Sequence, residues 1–174
     1  MKIGEKLQHF ELENTRGYRV NTYDFADKSA LLIVVTCNHC PYAQAYWPRV
    51  IDLARRYEED NLGVIAINGN NILIQPQDSP EDMTRLVKQF KMPFSYLHDE
   101  EQTILRRLGA TKTPEVFLFN ARRELVYTGA IDDCWDNPSA VTQVYLEDAI
   151  EFSLDGLVID YPQTDAIGSG IKWL

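Results

Sequence analysis

Residues 31–41 read Leu-Leu-Ile-Val-Val-Thr-Cys-Asn-His-Cys-Pro, and they carry the strongest fold signal in the chain. The aliphatic run over 31–35 has no polar interruption, which is typical of a strand buried on both faces of a sheet. The proline suits the first turn of a helix, where its missing N–H costs nothing. We therefore predict a strand over about residues 30–36, followed at once by a helix.

The two cysteines of this stretch form a Cys-x-x-Cys pair, which we interpret as a redox-active dithiol. If Cys37 lies at the helix N-cap, the unpaired N–H groups and the positive end of the helix dipole favour its thiolate. Cys37 is then the expected nucleophile, and Cys40, one turn lower, is the expected resolving thiol. His39 can assist by carrying a proton or donating a hydrogen bond, and Asn38 is expected only to shape the turn.

The composition of the 174-residue chain is that of a soluble globular protein, with 45% hydrophobic and 25% charged residues. This length buries a core without disulfide bonds, so we expect one domain over residues 1–174. The formal net charge of −9 argues against nucleic acid and anionic membranes as partners. The first residues lack the apolar segment of a signal peptide, which predicts a cytoplasmic location, where a Cys-x-x-Cys pair is more often catalytic or metal-binding than structural.

The first half of the chain alternates predicted strands and helices. Residues 1–29 are predicted to be an N-terminal extension that contains a β-hairpin. A capping box at Ser79 predicts the start of another helix. The polar segment 69–77, which precedes that helix, is expected to be a surface insertion with no identifiable chemistry. The helix after the cysteines is predicted from apolar residues at helical spacing: Tyr46, Val50, Leu53, Ala54 and Tyr57.

The second half is expected to end the sheet and close the domain. A strand opened by proline over 113–119 and a returning strand over 124–128 predict an antiparallel hairpin, and Asn137 is expected to begin the last helix. Residues 155–174 show no periodicity, which predicts an irregular tail anchored by Trp173. The whole order predicts an α/β fold with a central mixed sheet flanked by helices, and places the cysteine pair at the carboxyl end of a central strand.

The cysteine pair after a buried strand, the later Thr113-Pro114 and the closing hairpin and helix together resemble the thioredoxin-like superfamily, which implies its three-layer fold. More narrowly, four motifs resemble its peroxiredoxin-like redoxin branch, whose members carry alkyl hydroperoxide reductase and thiol-specific antioxidant names. The motifs are Thr-Cys-Asn-His-Cys-Pro-Tyr at 36–42, Thr-Pro-Glu-Val-Phe-Leu-Phe at 113–119, Gly-Ala-Ile-Asp-Asp at 129–133 and Ile-Lys-Trp at 171–173.

The resemblance implies that Pro114 is cis and lies near the cysteines, and that backbone groups of Thr113 pair with an incoming substrate strand. One position departs from the branch: relatives tend to carry Gly-Cys where this chain has Gly168 and Ser169. If that cysteine resolves or relays in relatives, this protein does without it, or the serine was introduced deliberately.

Three further features have two interpretations each. Glu115 is either a carboxylate that takes the proton of Cys40 or a solvated acid at a strand edge. Cys134 is either a resolving cysteine or a half-buried bystander, and we expect the bystander because its neighbouring acids raise the pKa of a thiol. The Cys37/Cys40 pair could be half of a zinc site, but no second pair of ligands with suitable spacing follows, so no metal is expected.

We therefore predict a thiol–disulfide oxidoreductase in which Cys37 attacks a disulfide and Cys40 resolves the mixed disulfide. Such exchange moves electrons and requires no bound cofactor. The expected partners are a protein or small-molecule disulfide, or a hydroperoxide, and a thiol reductant.

The alternative is a thiol-dependent hydroperoxide reductase that uses the same pair, and a third class is a redox sensor or binding module. We rank the peroxidase second because Val34 lies three residues before Cys37, where peroxiredoxins carry a peroxide-activating threonine.

Overall fold

The computed structural model describes residues 1–174 and builds them around a seven-stranded mixed sheet. The strands are β1 Glu11–Asn14, β2 Arg19–Asn21, β3 Ala30–Val35, β4 Leu62–Asn68, β5 Ser95–His98, β6 Lys112–Thr113, β7 Glu115–Phe119, β8 Leu125–Gly129 and β9 Ser169–Gly170. The helices are α1 Pro41–Arg56, α2 Pro80–Phe90, α3 Thr103–Leu108 and α4 Tyr145–Leu154. The main sheet has the order β2-β1-β5-β4-β3-β7-β8, and β6 and β9 form a separate pair.

The centre of the sheet is β3, as its uninterrupted aliphatic sequence predicts. Every residue of β3 is buried, and the strand pairs parallel with β4 and antiparallel with β7. Alternate side chains enter two different cores, because successive residues of a strand face opposite sides of the sheet. Leu32 and Val34 pack with α1 and α4, whereas Ile33 and Val35 pack with α3.

The helices cover both faces, which confirms the predicted three-layer arrangement around a mixed sheet. Buried residues of α1 and α4 share one core with β3, β7 and β8. On the same face, Met83 of α2 packs against Trp47 of α1 and Tyr96 of β5. The opposite face is covered by α3 through Ile104, Leu105 and Leu108.

The predicted N-terminal hairpin is present as β1 and β2, but it is part of the sheet rather than an appendage. Glu13 and Asn14 of β1 pair antiparallel with His98 and Leu97 of β5. The hairpin therefore extends the main sheet by two strands.

Local capping signals place some helices correctly and one incorrectly. Ser79 caps α2 as predicted, since its side chain accepts a hydrogen bond from the N–H of Asp82. Asn137 does not begin the last helix: it caps a short 3₁₀ turn over Pro138–Ala140, and α4 begins only at Tyr145. A polar cap followed by proline favours a helical turn, but it does not determine how many turns follow.

The tail is only partly irregular, because residues 169–170 form β9 and pair with β6. Trp173 anchors it as predicted, with the guanidinium of Arg106 lying 4.6 Å from its ring centroid. Ile171 is buried in the same core as α3. None of the helices is long and apolar enough to cross a membrane.

Candidate active site

The cysteine pair lies between β3 and α1, at the carboxyl end of the central strand. The N-cap of α1 is Cys40, not Cys37 as the sequence predicted. Pro41 is the first helical residue, and the sulfur of Cys40 accepts a hydrogen bond from the N–H of Ala43 at 3.2 Å. The dipole and the free N–H groups of the sixteen-residue helix therefore act on the second cysteine.

Cys40 is half-buried, and its surroundings stabilise a thiolate. The thiol of Cys37 donates a hydrogen bond to it, the N–H of Ala43 donates another, and the hydroxyls of Ser169 and Thr113 contribute further stabilisation. These donors outweigh partial burial and lower the pKa of Cys40 to about 5. Such an accessible thiolate is the reactive form of cysteine.

Cys37 has the opposite environment, with only 1% of its surface exposed. Its pKa is raised because its proton is shared with the sulfur of Cys40, because burial disfavours the charged form, and because Asp78 adds negative charge nearby. Cys37 is thus the buried sulfur of the pair and Cys40 the accessible one, and the buried sulfur is the one that the sequence predicted to attack.

Thr113 and Pro114 approach the same two sulfurs, and the Thr113–Pro114 peptide bond is cis, as the resemblance implied. The hydroxyl of Thr113 lies 3.3 Å from the sulfur of Cys37 and 3.9 Å from that of Cys40. Its carbonyl oxygen lies 3.4 Å from the sulfur of Cys40. The residue before the proline therefore borders both members of the pair.

The backbone of Thr113 is not free for a substrate strand, which corrects the expectation drawn from the resemblance. Thr113 pairs with Ser169 of β9, and Lys112 pairs with Gly170. The hydroxyl of Ser169 also helps to lower the pKa of Cys40. Ser169 therefore borders the site through its pairing with Thr113, and its only sequence signal was its departure from the branch that the chain resembles.

Asn38 does more than shape the turn. It is fully buried, and it joins residues 36–40 between β3 and α1, here called the cysteine loop, to the segment 68–78. Its N–H donates to Asp78 at 2.6 Å, its side-chain amide donates to the carbonyl of Gln77, and its side-chain oxygen accepts from Tyr96. The carboxylate of Asp78 also accepts from the amides of Asn68 and Asn70. A buried carboxylate with three donors holds the loop against the end of β4.

Sequence reasoning missed this network by treating residues 69–77 as a surface insertion without chemistry. The signal that could have revealed it was the predicted order of the strands. Because β3 and β4 are parallel neighbours, the residues after their carboxyl ends meet at the same edge of the sheet. The polar residues that follow β4 were therefore bound to lie beside the cysteine loop.

Two predicted supporting residues make no hydrogen bond to either thiol. Glu115 is only 7% exposed, so it is not a solvated acid, and its carboxylate accepts hydrogen bonds from the N–H and hydroxyl of Thr111. Burial raises the pKa of Glu115. His39 is exposed between the two cysteines.

Cys134 lies outside the pair. Its thiol donates to Asp136 at 3.3 Å, and that contact raises the pKa of Cys134. Asp136 contributes most to this rise, and Asp133, one of the two preceding acids that the sequence suggested, adds a smaller contribution. No group of three or more His, Cys, Asp or Glu side chains is arranged to hold a metal ion.

Comparisons with known proteins agree with this architecture. The AhpC/TSA family matches residues 3–128. A hypothetical protein from Sinorhizobium meliloti is 31% identical in sequence, and the two structures superpose with a TM-score of 0.94 over 100% of this chain and 96% of that one.

Two more distant matches carry functional names. The thiol-disulfide oxidoreductase ResA of Halalkalibacterium halodurans is 23% identical over 134 residues, covering 76% of this chain and 72% of ResA. A putative thiol:disulfide interchange protein DsbE from Chlorobium tepidum is 18% identical and shares the fold, with a TM-score of 0.71 over 88% of this chain and 99% of that one. The chain therefore belongs to the AhpC/TSA family, among the redoxins of the thioredoxin-like superfamily.

Proposed function

We propose that this protein is a thiol–disulfide oxidoreductase in which Cys40 attacks the substrate and Cys37 resolves the mixed disulfide. Its family and its homology to a thiol–disulfide oxidoreductase make it an oxidoreductase. The observation that carries the proposal is a difference in exposure. Cys40 is half-exposed at the N-cap of α1, where the N–H of Ala43 donates to its sulfur, whereas Cys37 is 1% exposed. The order of attack is the reverse of the order predicted from the sequence.

The exchange follows from the positions of the two sulfurs. The thiolate of Cys40 attacks one sulfur of a substrate disulfide, forms a mixed disulfide and releases the other sulfur as a thiolate. Cys37 then gives its proton to solvent or to the departing thiolate, and its sulfur attacks that of Cys40. The bond between Cys40 and the substrate breaks, two electrons have passed to the substrate, and the protein holds a Cys37–Cys40 disulfide.

Burial of the second thiol supports this order. Once Cys40 is in a mixed disulfide it no longer carries the negative charge that raises the pKa of Cys37. The pKa of Cys37 then falls, so the resolving thiolate forms only after the first attack. A nucleophile that is 1% exposed could not meet an external disulfide without local opening.

A trapping experiment tests the order of attack. Reduced Cys37→Ser and Cys40→Ser proteins are mixed with oxidised glutathione, quenched with acid and analysed by peptide mass spectrometry. We expect a stable glutathione adduct on Cys40 in the Cys37→Ser protein and none on Cys37 in the Cys40→Ser protein. An adduct that forms faster on Cys37 would restore the order predicted from the sequence.

The function itself is tested by titrating the wild-type protein in glutathione redox buffers. The Cys37/Cys40 pair must interconvert between dithiol and disulfide, with Cys134 unchanged. A pair that never forms a disulfide would exclude the proposed function, and the measured midpoint potential gives the direction of the reaction.

Hydroperoxide reduction is the second candidate, and the membership of the AhpC/TSA family favours it. A peroxide would oxidise the thiolate of Cys40 to a sulfenic acid with release of water or alcohol, and Cys37 would condense with it to a disulfide. The residue three positions before Cys40 is Cys37 itself, so the thiol stands where a peroxidase carries an activating hydroxyl. Peroxide consumption slower than disulfide exchange would keep the oxidoreductase first, and the opposite result would reverse the order.

The physiological partners are proposed as a disulfide substrate and a thiol reductant. A cytoplasmic location stays a prediction, which fractionation of cells that express the protein would test.

A further inference from the structure

The edge of β6 beside the reactive sulfur is covered by the chain's own tail. Thr113, whose carbonyl oxygen lies 3.4 Å from the sulfur of Cys40, pairs with Ser169 in antiparallel register. An extended polypeptide that docks onto a sheet does so by adding a strand to a free edge and satisfying its backbone groups there. At β6 that position is already filled by β9.

The covering strand fits closely against the backbone that it covers. A Cβ on Gly168 would lie 2.7 Å from the carbonyl carbon of Thr113 and would collide with its oxygen. The tail can therefore approach the Thr113–Pro114 peptide only with glycine at this position. Gly170, two residues further on, has open space around it, with no atom within 4 Å of the position that a Cβ would take.

The strand is held at both of its ends. Before it, the amine of Lys112 donates to the carbonyl of Ala166 at 3.0 Å, and Ala166 is buried. After it, Ile171 is 7% exposed and its N–H donates to the carbonyl of Thr111. Displacing β9 would therefore break hydrogen bonds and expose an apolar side chain.

Buried polar side chains from other parts of the fold hold the last residues. The N–H of Lys172 donates to Asn70 at 2.9 Å, and its carbonyl accepts from Gln102 at 2.9 Å. Gln102 also accepts from the N–H of Leu174 at 2.9 Å. Asn70 and Gln102 are themselves buried, so these bonds are shielded from water.

The sulfur of Cys40 stays accessible despite the covered edge. Cys40 is half-buried, and its neighbours His39 and Pro41 are exposed. A small disulfide needs only this opening, because attack requires one sulfur in line with the thiolate and no backbone pairing. An extended peptide needs the edge of β6 as well.

We propose that β9 is a specificity-determining strand that restricts this site to low-molecular-weight disulfides and excludes polypeptides that dock by strand addition. The proposal rests on the disulfide exchange proposed above and adds the substrate class. The chemistry is the same exchange: Cys40 bonds to one sulfur of the small disulfide, a small thiolate leaves, and the attack of Cys37 releases the second thiol.

The test compares two probes that share one leaving group, thionitrobenzoate, whose release is followed by its absorbance in stopped flow. One probe is the mixed disulfide of N-acetylcysteine amide, and the other is that of an uncharged extended peptide with a central cysteine. The same bond is broken in both, so the ratio of the two second-order rate constants isolates the contribution of the peptide backbone.

In the reduced wild-type protein we expect the peptide probe to react no faster than the small probe. Gly168→Ala forces β9 away from Thr113 and should raise the peptide-to-small ratio on the order of 10-fold, because it frees backbone groups for hydrogen bonds. Gly170→Ala is the matched control and should keep the wild-type ratio. A chain that ends at Ile167 should behave as Gly168→Ala does, and circular dichroism checks that each variant is folded.

Several results would overturn the proposal: a wild-type protein that already prefers the peptide, a ratio that Gly168→Ala and the shortened chain leave unchanged, or equal losses with both probes. Failure of the proposed function looks different. In that case the wild-type protein releases thionitrobenzoate from neither probe faster than the Cys37→Ser/Cys40→Ser double variant does.

Discussion

Two segments lie against the cysteine loop, and they differ in how far the side chains that act on it are removed from solvent. In the segment 68–78, the buried carboxylate of Asp78 accepts from the N–H of Asn38 and from the buried amides of Asn68 and Asn70. In the tail, the hydroxyl of Ser169, a half-buried residue, lowers the pKa of Cys40. The first segment therefore acts on the fully buried thiol and on the backbone that carries it, whereas the second acts on the half-exposed thiolate.

Because of this difference, we expect one segment to affect mainly the stability of the fold and the other mainly the reactivity of Cys40. Removing a buried acceptor leaves donors without partners, and each of them then costs its full desolvation penalty. Removing a half-exposed donor costs little, because water can replace it. We therefore expect changes in the 68–78 segment to alter folding and the state of Cys37, and changes in the tail to alter the chemistry of Cys40.

The largest expected effect is the contrast in reactivity between the two thiols as a function of pH. Since the pKa of Cys40 is about 5, its alkylation by iodoacetamide should stay nearly constant from alkaline pH down to about pH 6 and fall below about pH 5. Cys37, buried and with a raised pKa, should stay unlabelled over this range. The rates are measured by mass spectrometry of the labelled peptides.

Cys134 is the internal control for that measurement. Its pKa is raised, so its labelling should still increase above neutral pH. If Cys40 follows the same profile as Cys134, the stabilisation of its thiolate by the helix N-terminus and the neighbouring donors is refuted.

The second effect is on stability and concerns Asp78. Asp78→Ala removes the acceptor of Asn38, Asn68 and Asn70. Because a buried donor left without a partner costs about 1–3 kcal/mol, we expect the free energy of unfolding to fall by about 3 kcal/mol or more. Urea denaturation measures the loss, and labelling of Cys37 by iodoacetamide should become detectable as the loop loosens.

Asp60 supplies the matched control, because it is an exposed acid without a hydrogen-bond partner. Asp60→Ala should change the free energy of unfolding by no more than about 0.5 kcal/mol. Equal losses in the two variants would show that the network around Asn38 does not hold the loop.

The smallest effect concerns Ser169. Ser169→Ala removes one donor to the sulfur of Cys40 and should raise its pKa by about 0.5 to 1 unit, since one hydrogen bond is worth about 0.5–1.5 kcal/mol. The shift is read from the pH profile of alkylation, and the urea midpoint should not change.

Ser139→Ala, at an exposed serine in a 3₁₀ turn, is the control. If the pKa of Cys40 is the same in the two variants, Ser169 does not act on the thiolate.

Much of the fold was predictable from local patterns. The aliphatic run over 31–35 predicted a buried strand, because it is short, ends in three β-branched residues and contains no polar residue. The cap at Ser79 and the hairpin near the N-terminus were predictable for the same kind of reason, since their signals lie within a few residues. The start of α4 was not, because the apolar spacing near Asn137 does not show whether the chain continues as a helix after one turn.

The sequence by itself determined that this protein carries a cysteine pair between a buried strand and a helix. That Thr113-Pro114 belongs to the same site was implied only by the family resemblance. Only the tertiary structure decided which thiol is buried and which is accessible. That depends on Asp78, on Ser169 and on the helix beginning at Pro41. Burial and hydrogen bonds control the pKa of a thiol, and most of these neighbours are distant in sequence, so the spacing of the two cysteines could not reveal the division of their roles.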